Sequence, residues 1–461
     1  MRRFWVETLG CPKNQVDSDK LTGMLLADSM VEAAAPEEAD LVVVNTCAFV
    51  EQARQESVDT VLQLRSQAKG AELVVTGCMA ERYGAELAEA LPEADRVAGF
   101  GVPVTIGAKA SMMPSGTFRS VGTQHGITET QNVPEFDLLN LPRPAASAPW
   151  AYVKIAEGCD RRCGYCAIPS FRGPQRSRSI DSILAEVSQL HIKEAVLVAQ
   201  DLAAFGRDQG KGQRSIIPLV QQLCEQVDWV RLLYLYPSDL TEQLVEAICN
   251  SGVPYFDLSL QHVSRPLLAR MRRWGDGERF SSRIAEIRQR QPDAVFRSNF
   301  IVGYPGETEA DQDALLEFLE QVRLDWCGFF AYSPEAGTYS TTLDGQVPPE
   351  LAAERLRELS ELQDQITAVK RDQLIGCEVK VLVDSPGQAR SFREAPEIDG
   401  IVAVPEHLAV GQFHSVEIVQ AAGPELVAKP VLAEASGVAE TAGVAGAASV
   451  AEASSVKLEL A

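Results

Sequence analysis

Three cysteines stand close together at Cys159, Cys163 and Cys166, in the segment Gly158-Cys-Asp-Arg-Arg-Cys-Gly-Tyr-Cys166. Thiolates are the ligands of iron–sulfur clusters, and one short loop with C-x3-C-x2-C spacing can wrap three corners of a 4Fe–4S cube. The fourth iron then lacks a protein ligand and has a position free to chelate a small molecule. Zinc is the main competing use, but a structural zinc site normally closes with four ligands from paired C-x2-C knuckles. No such partner lies near; the nearest downstream histidine is His191. Three merely buried or disulfide-bonded cysteines are the plainest alternative, although clustering this tight is rarely a packing feature.

The triad follows a strand-like run, Ala151–Ile155. Three more cysteines follow strand-like runs nearer the N-terminus: Phe4–Thr8 leads to Cys11, Asp40–Val44 to Cys47 and Leu73–Thr76 to Cys78. Helical stretches lie between them, Ser18 to Met30 and Glu51 to Gln67, with another after Cys78 through Leu91. Near-continuous Val/Leu strands alternating with helices predict a small parallel sheet. In such sheets ligands bind at the carboxyl ends of the strands. Cys11, Cys47 and Cys78 therefore converge, and three thiolates with an open fourth position suggest a second cluster. A single cysteine after a strand is commonly just a small buried residue; three at equivalent positions point further.

A second βα series starts at Ala151 and runs to about Arg323. Its strands are expected at Glu194–Ala199, Trp229–Tyr236, Tyr255–Leu260, Val295–Val302 and Gly328–Tyr332. Its helices are expected at Ser179–His191, Ile216–Gln226, Leu240–Ser251 and Glu309–Val322. About six units fit a partial barrel better than a full eight-unit one. Polar groups expected at the strand ends include Gln200, Gln261, Arg297 and Asn299. The turn Gly303–Thr308 should cap the next helix, with Thr308 as N-cap and Asp311 three residues on. Gly206–Arg214 lacks the P-loop order and reads as a flexible loop. After a charged helix, Pro349 to Leu374, short alternating strands predict a small antiparallel barrel. Cys224, Cys249, Cys327 and Cys377 join no cluster and read as core residues.

The 461 residues suggest about three domains. Hydrophobic content of 46% with 23% charged residues is that of a soluble globular protein. No apolar run is long enough to span a membrane, and the start lacks a signal region, so a cytoplasmic place is expected. There the cysteines should be thiols or metal ligands. A net charge of −22 suits a basic partner better than a polyanion.

The triad, with an aromatic residue before its last cysteine, resembles the signature of radical S-adenosylmethionine (SAM) enzymes. In them the open iron binds SAM, and one electron cleaves it to methionine and a 5′-deoxyadenosyl radical. The order of parts is similar to that of the methylthiotransferases over roughly residues 3 to 420. Leu9-Gly-Cys11, Asn45-Thr-Cys47 and Thr76-Gly-Cys78 match that family's N-terminal motifs. The resemblance implies an α/β multidomain chain. Residues 1–110 form a small parallel α/β domain with an auxiliary 4Fe–4S cluster on Cys11, Cys47 and Cys78. A linker follows (111–147), then a partial (βα)6 radical SAM barrel (148–348), a connecting helix (349–374), a TRAM-like β-barrel (375–425) and an Ala-rich, disordered tail (426–461). Cys159, Cys163 and Cys166 carry the cluster that cleaves SAM, and Gln200, Gln261, Arg297 and Asn299 are candidates to hold SAM.

The family has one branch that modifies adenosine in tRNA and one that modifies an aspartate of a small-subunit ribosomal protein. Cys11-Pro-Lys-Asn14, Glu157–Asp160, Ile168-Pro-Ser170, Arg172-Gly173, Gln200-Asp201 and Ala395–Gly400 resemble the second. The tRNA branch has a basic residue near Glu335. Glu335, with Glu394, Glu397 and Asp399 beside Arg390 and Arg393, suggests an acidic surface suited to a basic ribosomal protein and repelling tRNA phosphates. A monomer served by a reductant protein is expected. The same chemistry on tRNA, and a non-catalytic iron–sulfur electron carrier, are the competing functions.

Overall fold

The computed structural model describes residues 1–105, 136–210 and 214–431. Most of the expected linker, part of the 206–214 loop and the tail from 432 lie outside the described residues.

Five parallel strands form the first sheet, in the order Val31–Glu32, Arg3–Thr8, Leu41–Thr46, Glu72–Gly77, Arg96–Val97. The central strand Leu41–Thr46 is buried throughout, as a parallel strand covered on both faces must be. The first helix runs Pro12–Ala27, not from Ser18. Proline is at home in a helix's first turn, where its missing N–H is no loss. The helix also buries Asn14, Asp17, Ser18 and Lys20, so its docked face lacks the apolar rhythm that would reveal it.

The central domain is a wall of six parallel strands in two sheets. Trp150–Lys154, Glu194–Val198 and Trp229–Leu232 form one; Tyr255–Gln261, Val295–Val302 and Trp326–Ala331 form the other. A parallel bridge between Leu235 and Leu258 joins them. Along Val295–Val302, Phe296, Phe300 and Val302 pack into the helix-covered core. By strand alternation Arg297 and Asn299 therefore face the inside of the wall. Arg297 and Asn299 are the third and fifth residues of this strand, not its end. The Thr308–Asp311 capping box forms as expected. Cys224 and Cys377 are exposed, against expectation. The helix from Ile216 stops at Leu223, which leaves Cys224 at its end, out of the core.

The wall is open between its first strand and its last. The N-terminal domain fills that gap. Its helix Pro12–Ala27 packs on Trp150–Lys154, where Lys154 Nζ meets the Asp17 carboxylate at 2.7 and 2.9 Å. Just beyond Trp326–Ala331, Glu335 accepts from Arg54 at 2.7 Å and from Arg82 at 2.6 Å.

The C-terminal domain is a closed barrel of Glu378–Ser385, Gln388–Arg390, Val402–Ala403, Phe413–Ala422 and Glu425–Pro430. Its pairings are antiparallel except Val402–Ala403 with Glu425–Pro430. The last strand carries the barrel to Pro430, past the expected boundary at 425. Leu426 and Ala428 point into the barrel core. The segment Ser391–Asp399 caps the amino ends of the wall. Trp326 Nε1 donates to Arg393 O (2.8 Å), Tyr152 Oη to Pro396 O (2.8 Å) and Tyr255 Oη to Asp399 (2.6 Å).

Candidate active site

Each cysteine of the first domain sits just past a strand's carboxyl end. Gly10 and Gly77 lead into Cys11 and Cys78 with φ of +93° and +91°. A Cβ on Gly10 would lie 2.9 Å from Cys47 Sγ, and one on Gly77 would lie 2.6 Å from the Thr46 backbone N. Only glycine lets these turns close so tightly. Cys47 feels the charges of both Cys11 and Cys78, so the three thiols share one place. Asn14 braces it, donating to Leu9 O and Thr46 O while its Oδ1 lies 3.7 Å from Cys78 Sγ.

The second triad also converges, since Cys166 feels both Cys163 and Cys159. The Arg161 backbone N donates to Cys159 Sγ at 3.4 Å, and Arg273 Nη1 to Cys163 Sγ at 3.4 Å. Arg161 is itself fixed by Asp201 at 2.5 Å and by Asp239. Its guanidinium lies 3.9 Å from the Tyr236 ring centre, and that of Arg273 lies 4.0 Å from it.

Burial raises the thiols of Cys47 and Cys166 to about 12 and that of Cys159 to about 11. It also raises Cys78, although the Arg172 charge opposes it. Cys11 differs: burial disfavours its thiolate, but Lys13 and Arg172 pull it below the ordinary value. Buried thiols of this kind become thiolates when a bound cation replaces their protons. Among the described residues no three His, Cys, Asp or Glu side chains are arranged to hold a single metal ion. One zinc at about 2.3 Å from each sulfur would draw three thiolates to within about 4 Å of one another. A three-thiol set left open for a polynuclear cluster fits better.

A charged network joins the two triads. Arg172 Nη2 donates to Cys78 Sγ (2.8 Å) and Asn14 Oδ1 (2.9 Å), and Nη1 to both Glu157 oxygens (2.9 and 2.8 Å). Glu157 precedes Gly158-Cys159 and also pairs with Lys154. Against the cost of burial, Arg172 and Lys154 hold its carboxyl far below the usual range. Gln200 Nε2 donates to Glu157 at 2.6 Å, leaving its Oε1 buried and unpartnered.

The other expected SAM contacts differ among themselves. Gln261 ends its strand with φ of +71°. Asn299 Oδ1 is buried without a partner, and a Cβ on Gly328 would stand 2.6 Å from it. Arg297 is engaged by Asp257 and Asp399, each at 3.4 Å. Its charge is matched inside the protein, so it braces the barrel floor.

The carboxylates expected on an acidic surface are mostly internal. Glu335 is 3% exposed between its two arginines. Glu394 is fully buried against Arg371 and Ser391. Asp399 is shut in by Tyr255 and Arg297, and only Glu397 is exposed. The local charge at these positions therefore says nothing about a basic substrate. Arg172, Glu157 and Asn14 are the residues that sequence reasoning did not single out as site groups. Their nearness to the cysteine motifs was the available signal.

Family models match three parts of the chain: the uncharacterized protein family UPF0004 over residues 3–99, the radical SAM superfamily over 153–319 and the TRAM domain over 375–431. The chain is 42% identical to the ribosomal protein uS12 methylthiotransferase RimO of Moorella thermoacetica, over 88% of this chain and 93% of that one. It is 39% identical to the protein of the same name from Cutibacterium acnes, over 92% and 97%. Among solved structures, the radical SAM methyltransferase TsrM of Kitasatospora setae aligns with a TM-score of 0.49 at 14% identity, covering 89% of this chain and 84% of that one. With relatives this similar along nearly their whole length, and with all three parts in order, the chain belongs to the RimO family of radical SAM methylthiotransferases.

Proposed function

We propose that this enzyme adds a methylthio group to the β-carbon of an aspartate in a small-subunit ribosomal protein, uS12, the protein that its relatives' names specify. Two SAM molecules are used, one for the radical and one for the methyl group. Cys159, Cys163 and Cys166 hold one 4Fe–4S cluster, and Cys11, Cys47 and Cys78 hold a second. When bound, the reduced first cluster supplies the electron that splits SAM, and the second supports sulfur transfer. The observation that carries this reading is the pair of three-thiol sets, each gathered at strand carboxyl ends and joined through Arg172 and Glu157.

The chain's own work is to position and to seal. Arg161 and Arg273 fix the loop that bears Cys159, Cys163 and Cys166. Gln200 and Asn299 each offer a buried, unpartnered carbonyl oxygen toward the inside of the wall; with Gln261 they are the side chains to hold SAM. Arg297 was expected beside them, but its pairing with two aspartates leaves it a supporting place. The N-terminal domain closes the open side of the wall and Ser391–Asp399 closes its floor. Water is thus kept from a radical that would otherwise be quenched. Among the described residues no helix is long and apolar enough to cross a membrane; we take the enzyme to work in the cytoplasm as a monomer, with a reductant protein.

The test is anaerobic. The protein is reconstituted with iron and sulfide, then given dithionite and SAM with either a uS12 peptide or a tRNA. Mass spectrometry should find one methylthio group on the peptide's aspartate and none on tRNA. Modification of tRNA alone would overturn the substrate assignment. Iron bound by Cys159/163/166-to-Ala protein should fall to half, because one cluster of two remains.

A further inference from the structure

Arg172 is buried, yet it belongs to neither set of cysteines. It ends the short helix Ile168–Arg172 that follows Cys166, and it reaches across to the N-terminal domain. One N–H lies 2.8 Å from Cys78 Sγ, and the Phe100 ring covers the guanidinium at 4.3 Å. Around it, Lys154 and Arg172 face Asp17 and Glu157, two positive charges against two negative ones. With the Arg172 side chain only 2% exposed and Asp17 only 1%, water screens this quartet weakly.

We propose that Arg172 is a positioning residue that sets the reduction potential of the auxiliary cluster, through its charge and its N–H···S bond to Cys78. This rests on the reading that Cys11, Cys47 and Cys78 hold such a cluster. Hydrogen bonds to the sulfurs and nearby net charge are principal determinants of an iron–sulfur potential. Reduction adds one negative charge to the cluster. A buried guanidinium in contact with a ligand sulfur stabilises that added charge, so the potential lies higher with Arg172 than without it. Because Arg172 also grips Glu157, next to the other cysteine loop, the same side chain fixes the separation of the two clusters.

The background for the test is the Cys159/163/166-to-Ala protein, reconstituted anaerobically so that only the auxiliary cluster is observed. Its midpoint potential and paramagnetic resonance spectrum are measured by redox titration. Arg172→Met should lower the potential and alter the line shape. Arg172→Lys, which keeps the charge without the two-sided fork, should lower it less. Asp17→Asn, which removes a negative charge from the same quartet, should raise it. Opposite signs for the arginine and aspartate variants are what a merely structural role would not produce. A loaded Arg172→Met or Arg172→Lys protein with the unsubstituted potential overturns the proposal, as does a shift of the same sign in Asp17→Asn. If no cluster assembles even with Arg172 present, the auxiliary-cluster reading falls and this inference with it.

Discussion

Glu335→Ala should loosen the N-terminal domain from the open side of the barrel. Glu335 Oε2 accepts from Arg54 and Arg82, and its Oε1 accepts from Ser333 Oγ at 2.7 Å. The Arg54 side chain is 22% exposed and can turn to water, whereas that of Arg82 is only 8% exposed. Removing the carboxylate therefore leaves one buried guanidinium unmatched. Breaking a buried pair from one side costs about 3–5 kcal/mol; with one of two arginines rehydrated, about 3 kcal/mol is expected. Arg82 also donates to Ala48 O, next to Cys47, from the helix that begins at Cys78. The loss should thus appear as faster amide hydrogen exchange around residues 47–57 and 78–83, together with a lower denaturation midpoint. Arg82→Met in the Glu335→Ala background should recover part of the stability by removing the stranded charge. Unchanged exchange in both segments, with stability within about 0.5 kcal/mol, the range of ordinary surface substitutions, would refute the clamp.

Three further outcomes follow from single sites. Thr308→Ala should cost about 1 kcal/mol in denaturant unfolding, since it removes the capping box at the head of Glu309–Val322. Gly77→Ala should cost about 1–3 kcal/mol through its left-handed backbone, and iron analysis should show loss of the proposed auxiliary cluster with the other proposed cluster retained. His262 is 1% exposed, and burial holds its imidazole neutral down to about 4, against an ordinary 6.5. The unfolded chain binds the proton first, so stability is kept above pH 6.5 and declines as pH falls toward 4. At about 1.36 kcal/mol per pH unit the loss reaches about 3 kcal/mol, and His262→Gln should flatten that slope in denaturation measured across this range.

Local grammar made much of this chain legible. Val/Leu runs ending in Gly-Cys or Thr-Cys told where strands stop, and a cysteine at a strand's end must face the ligand edge of a parallel sheet. The Thr308–Asp311 pair announced its helix for the same reason: all of its partners lie within four residues. What escaped was settled by partners far away in the chain. Glu335 meets Arg54 and Arg82, 281 and 253 residues distant; Glu394 meets Arg371, and Asp399 meets Tyr255. A carboxylate's type reveals that it wants a partner, not whether that partner is water, a substrate or its own chain. Arg297 shows the same dependence on distant partners. Its strand was placed correctly, but its depth in the strand and its two aspartates decide whether its charge is free for a ligand.

The misplaced carboxylates explain how the parts are held. Glu335 fastens the N-terminal domain at one edge of the wall, and Asp17 fastens it at the other, through Lys154 and Arg172. Glu194 binds Arg231 of the wall and Arg390 of the C-terminal barrel, each at 2.7 Å, and so ties the floor segment in place. Buried ion pairs add little net stability compared with apolar packing, because desolvation offsets their attraction. They do penalise any misaligned docking, since each displaced domain strands a charge. The proposed chemistry, which needs two cysteine sets held at a fixed separation, gains from that selectivity. The substrate's identity therefore rests on the motifs around the cysteines and on the relatives that share them, while the acidic residues near the chamber serve its assembly.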